Sequence, residues 1–178
     1  SAPFALKVGD RVLGGTVLPH GGFAEHAVRD QATTFAAPDS LDDAQASALF
    51  IGYQTGWFGL RRRAALQPGE TLLVHAAAGG VGSAAIQLGK AAGARVIGVV
   101  GGSDKAEFAR DLGADVVVDR HREDFVEVVK AETQGRGADV IYDPVGGDTY
   151  QRSTKCIAFE GRILVIGFAG GDIQSAAL

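Results

Sequence analysis

The chain has 178 residues, 46% of them hydrophobic and 7% aromatic, with 26 glycines, about twice the average share of roughly 7%. Its net charge of −4 supplies no basic field for nucleic acid or an anionic membrane, and one cysteine, Cys156, excludes an internal disulfide and a cysteine-based zinc cluster. With no signal peptide and no apolar run of about 18 residues a reducing cytoplasm is expected, and a Ser-Ala start without any methionine reads as an excerpt of a longer reading frame.

Lys7 to Leu13 (KVGDRVL) and Gly22 to Arg29 (GFAEHAVR) alternate as short strands, with Gly14-Gly15 and His20-Gly21-Gly22 as turn signals. Gln31 to Ala37 adds a further strand, so the opening reads as the tail of a small β domain. Pro38-Asp39-Ser40 breaks that pattern, and Ser40 with Asp43 has the spacing of a capping box for a helix over 41–50. A second helix is expected over 54–65, with Arg61-Arg62-Arg63 as its solvated end.

From Thr71 the rhythm becomes regular. Strands are expected over 71–76, 95–100, 115–118, 138–143 and 162–167, alternating with helices over 81–92, 104–112, 123–133 and 148–158. Gly93, Gly113 and Gly135 sit where helices must stop and supply the left-handed turn residue. Strands alternating with helices imply an α/β fold, a doubly wound parallel sheet covered on both faces. Five of the six strands of the usual dinucleotide-binding order are counted before Leu178.

The first of these units carries the chemistry. Leu72, Leu73 and Val74 run straight into Ala77-Ala78-Gly79-Gly80-Val81-Gly82, a G-x-G-x-x-G fingerprint whose first glycine is replaced by alanine. A helix follows whose first amides and positive dipole end attract the oxygens of a pyrophosphate. Glycine at Gly79 lets a phosphate approach the backbone, and a small residue at Gly82 lets helix and strand pack closely. An NAD-preferring fold places Asp or Glu about twenty residues after the fingerprint, on the ribose 2′-hydroxyl. Gly101, Gly102 and Ser103 stand there instead, which favours NADPH over NADH.

GDRV (Gly9–Val12), GGFAEHAV (Gly21–Val28), LVHAAAGGVG (Leu73–Gly82), LGADVVVD (Leu112–Asp119), YDPVGG (Tyr142–Gly147) and GRILVIGFAGG (Gly161–Gly171) occur in one order. Together they resemble the medium-chain dehydrogenase/reductase superfamily, in its zinc-free quinone oxidoreductase (zeta-crystallin-like) branch. The resemblance implies that residues 1–37 end a GroES-like catalytic domain and that 38–178 form a Rossmann domain truncated at its C-terminus. It also implies a homodimer for the full-length protein, with the strand over 162–167 left as an unprotected edge in the isolated segment. The zinc branch has a cysteine ligand at the position of Ile51 and a four-cysteine lobe shortly after GDRV; isoleucine cannot ligate a metal and the turn from Leu18 to Gly22 holds no cysteine, so no metal is expected.

By the same resemblance the cofactor meets Ala78, Gly79, Gly80, Val81 and Gly82 at its pyrophosphate, and Gly101, Ser103, Lys105 and Arg120 at its adenosine end. Lys105 matches a phosphate-binding lysine of several relatives, and Arg120 stands where the family often has Tyr or His against the ribose. Thr55, Val145, Gly146, Gly167 and Phe168 fall near the nicotinamide. Simpler readings stay open: Lys105 as a solvated helix lysine, Asp104 as a first-turn acid with Ser103 as cap, and the two glycine loops as plain turns. No catalytic residue is nominated. His20, His26, His75 and His121 are scattered, with His75 expected to pack or hydrogen-bond beside the fingerprint and His121 on a surface turn. Tyr53 and Gln54 lie near the domain junction, and Cys156 reads as a buried apolar filler.

The function implied is NADPH-dependent, zinc-independent hydride transfer to a small quinone or α,β-unsaturated carbonyl, in an enzyme whose cofactor performs the hard step. An enoyl-thioester reductase, stand-alone or within a multidomain synthase, is the alternative in the same class. A protein that binds NADPH without turnover is the alternative outside it. The 178 residues alone are expected to show little activity.

Overall fold

The computed structural model describes residues 6–17, 19 and 21–171. The chain divides into two units, 1–54 and 55–178. In the first, strands β1 (Val12–Leu13) and β2 (Phe35–Ala36) pair antiparallel, and a 3-10 turn, Gln31–Thr33, is capped by the Asp30 side chain on the Ala32 amide at 2.8 Å. The strand expected over 7–13 therefore shrinks to two residues. That over 31–37 opens as the 3-10 turn, because Asp30 captures its amides. Gly22 to Arg29 forms no strand: Phe23, Glu25, His26 and Val28 are all exposed, so their alternation buries no face. Leu18 and His20, in the expected turn, lie outside the described residues.

Helix α1 spans Asp43–Trp57 and runs on into a π-helical turn, Phe58–Arg63, in place of two separate helices. Its capping box lies two residues later than Ser40 and Asp43: the Gln45 amide donates to Asp42 Oδ1 at 2.8 Å and the Asp42 amide to Gln45 Oε1 at 3.1 Å. The π turn closes with the Ala64 amide on the Gly59 carbonyl at 2.8 Å. Arg162 then holds its end: Nε and Nη2 donate to the Ala64 carbonyl at 3.0 and 2.8 Å, while Nη1 and Nη2 reach Glu70 at 2.8 and 2.9 Å.

The second unit is built on β3 (Thr71–Val74), β4 (Arg95–Val100), β5 (Val116–Asp119), β6 (Ala138–Asp143) and β7 (Ile157–Val165). They form one parallel sheet in the order β5-β4-β3-β6-β7, the doubly wound arrangement with its reversal between β3 and β6. Helices α2 (Gly80–Ala91), α3 (Ser103–Asp111), α4 (Phe125–Glu132) and α5 (Asp148–Ser153) connect them. Alternation along each strand sorts the core into two layers. Leu72, Val74, Val96, Val100, Val140 and Tyr142 pack with Ala85 and Ile86 of α2, whereas Leu73, Ile97, Val99 and Ile141 pack with Phe125 and Val129 of α4 and with Cys156. Cys156 is buried, and burial pushes its thiol up to about 11.

Gly93, Gly113 and Gly135 have φ of 78°, 103° and 84°, as expected of helix-stopping residues. Two boundaries of this unit differ by more than two residues. Helix α5 ends at Ser153 instead of near 158, and β7 starts at Ile157 instead of 162, because Thr154–Cys156 already form a turn and a bulge at Glu160 (φ 58°) lets the strand continue.

Candidate functional site

The carboxyl ends of the parallel strands open into a cleft of about 550 Å³. Its floor is the turn that leaves β3. Ala76 takes the left-handed conformation (φ 47°), the Gly79 amide closes on the Ala76 carbonyl at 2.8 Å, and Gly79 becomes the extended N-cap of α2 with no side chain to cap it. The helix thus presents the backbone of Gly80, Val81 and Gly82 without a competing side-chain acceptor. A Cβ at Gly82 would lie 2.2 Å from the Ala76 carbonyl oxygen and 2.9 Å from Ala77 Cα, so only glycine lets the helix start this close to the strand. Ala77, standing where the fingerprint has its first glycine, is accommodated by Gly98 on β4, where an added Cβ would meet Ala77 Cβ at 3.1 Å. The methyl group missing from β4 makes room for the one added in the turn.

At the end of β4, Gly101 and Gly102 (φ 102°) make a second turn. Asp119, at the end of β5, accepts from the Gly102 amide at 2.9 Å and the His121 amide at 3.1 Å. Those two amides hold its carboxyl below the usual carboxylate range. Asp119 is thereby occupied by the protein's own backbone. Lys105 and Arg120 are exposed and line the cleft on either side of Gly101, with Arg120 Nε 3.0 Å from where a Cβ at Gly101 would stand. The N-cap of α3 is Gly102, and Ser103 is the first helical residue; its hydroxyl meets Asp104 at 3.2 Å, so Ser103 is not the cap expected from the sequence. Asp104 is exposed.

Beyond β6, Asp143 is fully buried and its Oδ1 accepts from the amides of Val145 and Gly146 at 2.8 and 3.0 Å. Its Oδ2 is buried without a partner. The Val145 carbonyl is also taken, by the Gly170 amide at 2.8 Å. This loop therefore offers shape and steric limits more than free donors. A Cβ at Gly146 would lie 3.0 Å from Phe168, and one at Gly167 3.3 Å from the Pro144 carbonyl, so the two glycine loops lie against each other. Ala78, Gly79, Gly101, Lys105, Arg120 and Val145 are brought together as cleft lining. Gly80, Gly146 and Phe168 stand directly beside lining residues in the chain, and Val81, Gly82, Ser103 and Gly167 lie two or three residues from one; none of the seven is itself cleft lining. Thr55, half-buried near the end of α1, is not on the cleft wall.

The rest of the cleft lining was not read from the sequence. Phe125, Thr149 and Arg152 reach it from α4 and α5, and His75 from the end of β3. His75 is 2% exposed, its Nε2 lies 2.9 Å from Ser153 Oγ, and its ring meets Phe125 edge-on at 4.8 Å. Burial pushes its imidazole down to about 4, against the opposing pull of the Asp143 charge, so it is neutral at ordinary pH. Arg152 stacks on the same Phe125 ring, 4.7 Å from its centre, while pairing with Asp124 at 2.8 Å. A histidine between a buried strand and a phosphate turn was the one available sign of this lining. Among the described residues no group of three His, Cys, Asp or Glu is placed to hold a metal, and no helix is long and apolar enough to cross a membrane.

The family model of the zinc-binding dehydrogenases matches residues 80–177. A quinone oxidoreductase-like protein 2 homolog of Nematostella vectensis is 44% identical over 170 residues, which are 95% of this chain and 46% of that protein. The structure of a Pseudomonas syringae quinone oxidoreductase aligns with 41% identity and a TM-score of 0.81, over 93% of this chain and 51% of that one. An Escherichia coli quinone oxidoreductase complexed with NADPH gives 38% and 0.75, over 81% and 44%. The CurK enoyl reductase gives 34% and 0.71, over 76% and 40%. The chain spans about half the length of the quinone oxidoreductase-like relatives it matches, 46% to 53%.

Proposed function

The chain belongs to the zinc-binding dehydrogenase family of the medium-chain dehydrogenase/reductase superfamily, and from that premise we propose that its nucleotide unit binds NADPH and serves zinc-independent hydride transfer to a small quinone or α,β-unsaturated carbonyl. The observation that carries the reading is the cradle at Gly79 and Gly82: an N-cap without a side chain, and a helix start that a single methyl group would block. A dinucleotide fits that donor set, because ionised phosphate oxygens accept from backbone amides and bring no bulk between helix and strand. The backbone over 79–82 would hold the pyrophosphate, and Lys105 with Arg120 the 2′-phosphate. Asp119 favours the phosphate-bearing cofactor by being committed to Gly102 and His121, leaving no carboxylate at Gly101 to 103 to repel it. Bound NADPH supplies the reducing hydride. The protein contributes position, through the turn and the closed loop at Asp143 to Gly146, and exclusion of water by the apolar strand ends.

Zinc independence rests on the ligands. Ile51 stands at the cysteine position, and the only cysteine within the matched segment, Cys156, is a buried thiol with a raised pKa. Stoichiometric zinc in a metal-content assay would contradict this. Oxidation of NADPH with quinones but not with enones selects quinone reduction, and the reverse result selects enone reduction. The likeness to CurK favours a second reading, an enoyl-thioester reductase, which predicts turnover on acyl thioesters of unsaturated acids. Tight NADPH binding with no oxidation by any of these acceptors would instead indicate a binding protein.

A further inference from the structure

We propose that His75 is a cofactor-orienting residue, held by Ser153 in one neutral tautomer so that its Nδ1 lone pair accepts a hydrogen bond from a ribose hydroxyl beside the pyrophosphate. The inference rests on the NADPH reading above and adds to it a cleft residue beside the cradle. Hydrogen bookkeeping fixes the tautomer. Ser153 Oγ has one hydrogen, and it is donated to the Thr149 carbonyl at 2.7 Å. At 2.9 Å from His75 Nε2, that oxygen is left as an acceptor, so Nε2 carries the proton and Nδ1 is bare.

Nδ1 has no hydrogen-bond partner among the described residues, and His75 lines the cleft while only 2% exposed. The ring cannot swing to solvent, since Phe125 meets it edge-on at 4.8 Å and Ser153 holds its other side. A bare imidazole nitrogen repels an ionised phosphate, which only accepts, and needs a donor. His75 sits one residue before Ala76, which opens the phosphate turn, so the donors within reach of that position are the hydroxyls of the sugars flanking the pyrophosphate. Burial keeps the ring neutral, and its charged neighbours, Asp143 from β6 and Arg152 from α5, act on it in opposite directions.

The test is nitrogen NMR of the chain carrying 15N-labelled histidine, with the His75→Gln spectrum identifying the His75 signals and a calorimetric NADPH titration run in parallel. The expected result at neutral pH is a single Nε2–H tautomer whose Nδ1 signal moves towards its hydrogen-bonded position on NADPH addition while Nε2 stays. Ser153→Ala should mix the two tautomers and weaken NADPH about fivefold, the size expected of one hydrogen bond held less well. Its tautomer signal is a readout that a merely structural change would not move. An Nδ1–H tautomer, or an Nδ1 signal unmoved in a chain that the titration shows to be saturated, overturns the proposal and leaves the NADPH reading standing. Absence of any NADPH binding overturns both.

Discussion

Replacing Gly82 with alanine tests the geometry of the phosphate turn most sharply. The new Cβ would stand 2.2 Å from the Ala76 carbonyl oxygen and 2.9 Å from Ala76 C and Ala77 Cα. All three are backbone atoms, and Ala76 is already at φ 47°, so the turn has no flexible end to move aside. Reaching an ordinary contact of 3.4 Å or more needs a shift of roughly 1 Å between helix and strand, an overpacking of the kind that costs about 1–3 kcal/mol. Alanine's better helix propensity returns about 0.5–1 kcal/mol. The net loss of about 1 kcal/mol corresponds to a fall of roughly 2–4 °C in unfolding midpoint for a chain of this size. Gly80→Ala is the internal control: its Cβ meets nothing within 4 Å, so the midpoint should hold or rise. Thermal unfolding followed by circular dichroism reads both, with NADPH titration of whatever folds. A Gly82→Ala chain with an unchanged midpoint and unchanged NADPH affinity would refute the close-approach reasoning.

Other perturbations have equally definite outcomes. Lys105→Ala should weaken NADPH by about tenfold and leave NADH nearly unchanged, the mark of a contact to the 2′-phosphate alone; equal weakening of both by calorimetry would contradict it. His75 makes stability depend on pH. Its folded value of about 4 lies below the unfolded 6.5, so the unfolded chain binds the extra proton and stability falls as pH drops through 6.5 towards 4. At about pH 5 the loss is on the order of 2 kcal/mol relative to neutral pH, measurable by urea unfolding, and His75→Gln should remove most of that slope. Arg162→Lys should destabilise almost as much as Arg162→Ala, about 2 kcal/mol. A single ammonium cannot hold the Ala64 carbonyl and both Glu70 oxygens together, and rescue by lysine in thermal unfolding would show that charge alone suffices.

The doubly wound unit was legible because its central strands, β3, β4 and β6, are buried on both faces and glycines punctuate the unit. Leu72 to Val74 and Arg95 to Val100 needed no periodicity argument, and 138–143 fell within its observed bounds. The first unit misled for the opposite reason: Phe23 and Val28 alternate with polar residues yet stand exposed, so a period of two there reports no sheet. Asp42 and Gln45 outcompete Ser40 and Asp43 as the capping pair because a carboxylate and an amide satisfy both amides reciprocally. The π turn at Phe58–Arg63 is followed by a carbonyl, that of Ala64, held by Arg162 about a hundred residues away in sequence, and no local pattern announces it. In the site, the glycine positions and Lys105 could be read directly. The Gly98 space that admits Ala77, the commitment of Asp119, and the wall of His75, Phe125 and Arg152 depend on neighbours that only the folded sheet brings together.

The central claim is that NADPH lies across the carboxyl ends of the strands, with its pyrophosphate on the first amides of α2 and its 2′-phosphate between Lys105 and Arg120. Backbone amide shift mapping of the chain titrated with NADPH tests it most directly. The largest changes are expected at Gly79 to Gly82, Gly101, Ser103, Lys105 and Arg120, with the last four much reduced when NADH replaces NADPH. Saturating NADPH that leaves 79–82 unmoved, or that shifts the exposed surface from Trp57 to Gln67 instead, would contradict it.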